Sequence, residues 1–314
     1  MLLDEIPIGF ARTVAILFGL LWGSFLNVVI YRVPRDMSVV RPPSHCPSCG
    51  KPVAPYDNIP ILSFLILRGR TRCCKTKMSV RYPIVEALGG LAAWAVFDAA
   101  LSVLPGETSA LRFLGFFLTD FALALGLIAA AFIDAEHMFL PDEITIGGAV
   151  LGVATFFLRD LTLLQSVVGA AVGFLGVYVP FIFLYKKIRG FAGMGLGDAK
   201  LLMLAGAWFG WEGALFVLFA GAIQGTIGTI IIFVFKGKID EPESVRLDRE
   251  EIERLVAEGD AEAIAIMKDD PVMDEAAKGK ARIPFGPFLI LACLECLIAG
   301  DRIFAWFTTF LMPT

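Results

Sequence analysis

Gly193-Met194-Gly195-Leu196-Gly197-Asp198, running on into Ala199 and Lys200, sets three alternating glycines directly before an acid at the edge of a long apolar run. An ionisable group close to hydrocarbon is costly, which makes it a functional candidate by default. Glycines let the backbone leave helical geometry and let another chain approach where a Cβ would hinder it. A phosphate cradle would need a strand before the glycines and a helix after them. Here the preceding run, 167–185, has the character of a membrane segment. The plainer alternative is a flexible hairpin between two spans. Against it stands a second acid, Asp134, at the end of another apolar span.

Working outward, the chain reads as a polytopic membrane protein. Hydrophobic residues make up 57% of it, above the roughly 45–50% of soluble domains, and its mean hydropathy is +0.74. The net charge of −4 says little about partners, because it averages a basic loop and an acidic one. Asp4 and Glu5 stand where a cleavable signal peptide needs basic residues, and the first apolar run is long enough to span, so no such peptide is expected. Cys46, Cys49, Cys73 and Cys74 share one polar loop, while Cys293 and Cys296 lie in the last apolar run. That clustering points to a metal site or free thiols in a reducing space rather than a disulfide framework.

Apolar runs of spanning length, roughly 17–25 residues, fall near 10–32, 83–104, 111–133, 144–158, 164–185, 199–211, 213–235 and 285–311. The expected fold is an all-α membrane helix bundle of about eight crossings, with the fourth and sixth short enough to be tilted or re-entrant. The first connection holds Arg32, Arg35, Arg41, Lys51, Arg68, Arg70, Arg72, Lys75, Lys77 and Arg81, against only Asp36 and Asp57. Such a loop is expected in the cytoplasm. Alternation then puts 134–143, 186–198 and 236–284 on the same side, and Lys186, Lys187 and Arg189 agree. Both Asp134 and Asp198 come out at the cytoplasmic face. The expected organisation is a first span (1–32), a basic cysteine loop domain (33–82), a membrane core (83–235), an acidic insertion (236–284) and a last span (285–314). Within the insertion, 248–256 reads as an amphipathic helix capped by Asp248, and 260–267 as a second; a solvated hairpin without chemistry is the plain reading.

Asp134 sits in Phe132-Ile133-Asp134-Ala135-Glu136-His137-Met138-Phe139-Leu140-Pro141-Asp142-Glu143, where four acids and a histidine crowd a short turn. Two carboxylates brought together from different helices share one proton, because like charges resist double ionisation. The ionised member then takes a proton from water while the neutral one donates to a scissile carbonyl. That is amide hydrolysis with neither metal nor covalent intermediate, and Asp134 with Asp198 is the expected pair. Asp142 competes for the first place, although Leu-Pro-Asp also suits a helix start. Glu136 and His137 read as solvated loop residues.

Gly193 to Lys200 resembles the GxGD motif of the type 4 prepilin peptidases. So do Ile133-Asp134 with Leu140-Pro141-Asp142, the run Gly23 to Arg32, and Asp57-Asn58-Ile59-Pro60-Ile61-Leu62-Ser63. Arg81-Tyr82-Pro83-Ile84-Val85-Glu86 and Pro284-Phe285-Gly286-Pro287-Phe288 match further, in the same order. The resemblance implies that Asp134 and Asp198 are the catalytic dyad of an aspartic endopeptidase. It implies removal of a basic leader from type 4 prepilins and pseudopilins at the cytoplasmic face of the bacterial inner membrane. It also implies N-methylation of the new N-terminus with S-adenosylmethionine. Proteolysis itself would require no cofactor, and no nucleic acid is expected as a partner.

The cysteine loop departs from that family. Cys46-Pro47-Ser48-Cys49-Gly50 looks like half of a zinc ribbon, which needs four ligands in tetrahedral array. The family's second half aligns Cys74 with the fourth cysteine and Thr71 with the third, leaving Cys73 two residues late. Side chains of adjacent cysteines tend to diverge, and His45 beside Cys46 has the same difficulty. Zinc on Cys46, Cys49, Cys73 and Cys74 and a loop of reduced thiols are both open readings. Asn27 and Glu86 read either as interhelical hydrogen-bonding groups or as substrate contacts. Glu295, inside the last span, has no firm assignment, and Cys293 and Cys296 suit packing. Two alternatives remain. One is another GxGD protease, of the signal-peptide-peptidase or preflagellin type. The other is a transporter using intramembrane acids and broken helices, although here the decisive acids lie near one face.

Overall fold

The computed structural model describes residues 7–46, 48–190, 192–236, 243–261, 263–264 and 284–311. Among them regular structure is helical: α1 Ile8–Arg32, α2 Leu62–Ile66, α3 Arg81–Val103, α4 Ala110–His137, α5 Asp142–Ala154, α6 Leu163–Val177, α7 Tyr185–Arg189, α8 Leu196–Lys236, α9 Glu243–Ala257 and α10 Gly286–Leu311. A π-helical stretch, Tyr178–Leu184, joins α6 to α7. Asp4 and Glu5, and 265–267 of the second expected insertion helix, lie outside the described residues.

Among the described residues, five runs are long and apolar enough to cross a membrane: Ile8–Arg35, Arg81–Val103, Ala110–His137, Leu163–Arg189 and Leu196–Phe235. Large apolar side chains along them stay uncovered, Phe10 at 72% and Leu111 at 80% among them, as lipid contact requires. The fourth expected crossing is a helix of only 13 residues. The sixth and seventh form one helical run broken at Gly210 (φ 71, ψ −177). That φ is open to glycine and strained for other residues, so the break falls there instead of at Glu212. The helix expected to be capped by Asp248 starts five residues earlier, at Glu243. Arg246 lies 3.9 Å from Glu243 and 3.7 Å from Glu250, so charge pairing one turn in each direction carries the helix through Asp248.

The chain divides into two compact units. The first draws on Met1–Ala129, Leu158–Asp160 and Leu294–Thr314. In it, Gly19 and Gly23 of α1 meet Gly89 and Gly90 of α3. A Cβ on Gly23 would come 2.8 Å from the Glu86 backbone, and one on Gly89 2.7 Å from the Gly23 Cα. Small residues let helix backbones touch in lipid, where burial of apolar surface supplies no drive. Asn27 sits in the same seam, 4% exposed, and donates to the Tyr82 carbonyl at 3.2 Å. Glu86 accepts from the Ile61 N–H at 2.7 Å, pinning the loop where Ile61 holds φ 60, a value uncommon for a β-branched residue.

Unit one also contains a pair unremarked in the sequence. Asp120, inside α4, accepts from Arg159 at 3.3 Å, and both side chains are nearly covered. A lone acid in the middle of an apolar span was the signal for it.

The polar loop of unit one is tied by Arg72, whose Nε and Nη2 donate to the Asp57 carboxylate at 2.8–3.0 Å. Hydrogen bonds from Arg72 hold the Asp57 carboxyl below the usual carboxylate range. A depressed native value means that this tie is fully present above the unfolded carboxyl's titration and is lost as pH falls through the native one. Acidification is therefore expected to lower the amide protection factors in 71–76, taken relative to the intrinsic exchange rate at each pH, and Asp57→Asn to give that lower protection already at pH 7. Equal protection of 71–76 in both proteins at neutral pH would contradict the tie.

The second unit draws on Ala130–Phe157 and Leu161–Cys293. Here α6 crosses α8 so closely that a Cβ on Gly169 would strike the Gly206 carbonyl and come within 2.8 Å of the Gly210 Cα. Ser166 donates to the Ala207 carbonyl, and Trp208 to the Gly148 carbonyl on α5, each at 2.7 Å. These contacts fix the first half of α8 against α5 and α6.

Candidate active site

Both aspartates of the expected pair belong to unit two. Asp134 lies in the last turn of α4, among Ala130 and Ile133, which are fully buried, and is itself 6% exposed. Met138 (φ 55) ends that helix, donating to the Asp134 carbonyl at 2.9 Å. Asp198 stands in the first turn of α8, followed by Ala199, Leu201 and Leu202, all at 1% exposure or less. The Gly195 N–H faces the Asp198 carboxylate, the reach-back contact of an acid at the third helical position. The Gly286 N–H, at the start of α10, faces Asp134. Each carboxylate thus meets the positive end of a helix, which favours negative charge there. The pair lies close enough for the Asp134 charge to act on Asp198, and Asp134 Oδ2 is buried without a hydrogen bond.

The three glycines before Asp198 avoid the left-handed region, so conformational freedom is not their reason. For two of them close approach is. A Cβ on Gly193 would press the Phe181 carbonyl and the Tyr185 ring at 3.2 Å, and one on Gly197 would sit 3.2 Å from Leu140, whereas one on Gly195 would make only ordinary contact, 3.4 Å from Asp198 Oδ2. The Gly193 N–H donates to the Phe181 carbonyl at 2.8 Å. That carbonyl belongs to the π-helical stretch. A π-helical stretch followed by α7, and no strand, precedes the glycines, which removes the phosphate-cradle reading.

Asp142, the competitor of Asp134, opens α5 and is exposed; its carboxylate accepts from Lys200 Nζ at 2.6 Å. It ties α5 to α8 two residues beyond Asp198, a link the sequence reading missed. Glu136 and His137 are half-buried within α4 instead of solvated in a loop, because α4 runs on to His137. Glu295 is half-buried in α10. Cys293 and Cys296 are buried as packing residues.

The cysteine loop, in unit one, overturns one expectation. Cys73 and Cys74 converge, with Sγ atoms 3.9 Å apart. Cys46 lies 3.6 Å from Cys74 and Cys49 3.4 Å from Cys73, and all four sulfurs fall within 4.8 Å of one another. Two tight turns do this. Gly50 (φ 70) follows Cys49, and Lys75 (φ 58) reverses the chain after Cys74, with the Thr71 N–H bonded to the Thr76 carbonyl at 2.9 Å. Sulfurs of a zinc tetrahedron stand about 3.8 Å apart when the bonds are about 2.3 Å, and this donor set fits. His45 is not part of it; its ring bonds the Pro43 carbonyl at 3.2 Å. The Thr71 hydroxyl, then that of Thr76, pulls the Cys74 thiol down to about 5. The N–H groups of Ser48 and Cys49 lower Cys46. The Lys51 N–H also pulls on Cys49, but the neighbouring thiols, Cys73 first, and burial push it up to about 11. A divalent cation would relieve that crowding and hold all four as thiolates.

A polytopic helical membrane protein with paired aspartates at the ends of two helices is the class that fold and site define. The chain matches the model of the bacterial peptidase A24 N-terminal domain over residues 17–99 and that of the type IV leader peptidase family over 121–230. A prepilin leader peptidase/N-methyltransferase of Myxococcus xanthus is 36% identical, covering 90% of this chain and 88% of the relative. One of Neisseria gonorrhoeae is 35% identical over 73% and 85%, and one of Aeromonas hydrophila 32% over 93% and 92%. The chain belongs to the prepilin leader peptidase/N-methyltransferase family. No solved structure matches it.

Proposed function

We propose that this protein is a membrane aspartic endopeptidase that removes the leader from type 4 prepilins and pseudopilins at the cytoplasmic face of the inner membrane. The observation that carries the reading is that Asp134, in the last turn of α4, and Asp198, in the first turn of α8, lie within range of each other's charge, each facing an N–H at a helix start, within the segment that matches the leader peptidase family. On this reading one proton is shared by the two carboxyls. The ionised member draws a proton from water as the oxygen attacks the scissile carbonyl, and the protonated member donates to that carbonyl oxygen. Helix N-termini stabilise the charge left on the pair, and the buried surroundings strengthen both interactions. Purified protein in detergent is expected to shorten a prepilin at its leader junction. Solute uptake in proteoliposomes with no cleavage would favour transport instead.

The names of the relatives support a second activity, methyl transfer from S-adenosylmethionine to the new N-terminal amine. The cleaved product is then expected to gain the mass of one methyl group only when that donor is present.

Cys46, Cys49, Cys73 and Cys74 would hold a structural zinc ion, which would lock the two turns of the loop together. One zinc per chain is expected by metal analysis, with loss in Cys46→Ser or Cys73→Ser. Because thiolates are the ligands, affinity falls as pH falls. Zinc-free unmutated protein, purified without chelator, would remove the metal from this account.

A further inference from the structure

The first turn of α10 sits where the dyad needs support. Gly286 opens the helix, and the carbonyl of Phe285 accepts from Phe288 at 3.1 Å. Pro287 has no N–H to offer, so the Gly286 N–H is the donor of that turn that faces the Asp134 carboxylate. The fit is closer than any side chain allows. A Cβ on Gly286 would lie 2.5 Å from Asp134 Oδ2 and 2.8 Å from its Cγ, against 3.4 Å from its Cβ. Two aromatic rings anchor the same turn on the second half of α8. Phe285 lies 3.2 Å from where a Gly225 Cβ would stand, and Phe288 2.6 Å from where one on Gly228 would. α8 also carries Asp198. Backbone contact through α10 therefore connects one aspartate to the helix that holds the other.

We infer that Gly286 is a positioning residue for Asp134: its bare Cα and its N–H set where that carboxylate lies relative to Asp198. The inference rests on the dyad reading for its catalytic consequence, though not for its steric one. An added methyl group must move either the carboxylate or the start of α10, which Phe285 and Phe288 hold. A shift of about 1 Å in a reacting group costs on the order of 100-fold in rate.

The test uses full-length protein in detergent, with leader cleavage and thermal unfolding as readouts. Gly286→Ala is expected to lower kcat about 100-fold with KM within about twofold of the unmutated value, and to lower Tm. The same substitution placed on Asp134→Ala is expected to cost no Tm, because the oxygens it would strike are gone and alanine favours helix over glycine. Should Gly286→Ala fail to fold, recovery of folding by added Asp134→Ala supports the inference. Unchanged kcat in Gly286→Ala, or an equal Tm loss in both backgrounds, overturns it. Full activity of Asp134→Ala would instead defeat the dyad, and the Tm comparison would still decide the role of Gly286.

Discussion

Asp134→Asn and Asp198→Asn are each expected to lower kcat for leader cleavage by about 10³- to 10⁴-fold, with the helical circular dichroism of the unmutated protein. Asparagine keeps the shape of the side chain and can still accept from Gly286 or Gly195, so local packing persists. What it removes is the ability to take a proton from water or to return one. Neither remaining aspartate can perform both halves of the proton exchange alone, so the double variant is expected to be no slower than either single one. A multiplicative loss in the double variant would mean that the two acids act independently. Undiminished cleavage by either single variant would remove the dyad. Asp142→Asn separates the competitor, because it breaks the contact to Lys200 while leaving both members of the pair in place; its expected effect is well below that of the other two.

The second large effect concerns stability. Asp120→Ala is expected to destabilise the protein by about 3–5 kcal/mol, because it removes the carboxylate that faces the largely covered Arg159 charge. The pair is held at 3.3 Å with side-chain exposures of 6% and 10%, so water offers little screening. Replacing both, Asp120→Leu with Arg159→Met, is expected to recover most of that loss, since the desolvation of two charges disappears along with their attraction. Unfolding in detergent with denaturant, followed by helical signal, measures both. If the double replacement is as unstable as Asp120→Ala alone, the pair contributes through shape rather than charge.

The cysteine loop shows why spacing alone was insufficient. Four thiols and the Cys-x-x-Cys-Gly half-site were plain in the sequence, but adjacency of Cys73 and Cys74 argued against a common centre. The turn closed by Thr71 and Thr76, with Lys75 in left-handed conformation, swings the two sulfurs to the same side. A dihedral at a single residue decides such a matter, and residue type constrains it weakly. The threonine that stands where the family has a cysteine bonds the Cys74 sulfur at 3.2 Å, taking a supporting place beside the cluster.

By itself the sequence determined the class: long apolar runs can satisfy their backbone groups in lipid only as helices, and acids at the ends of such runs mark the site by their cost. Tertiary structure alone decided that Asp134 and Asp198 lie within range of each other's charge, that Asp142 pairs with Lys200, and that Gly286 comes against Asp134 from a helix about 150 residues further along the chain. Hydropathy is a sum over neighbours in sequence and is legible there. Contact between distant segments depends on how helices cross, which hangs on a few glycine faces and one break at Gly210, and no local pattern encodes that crossing.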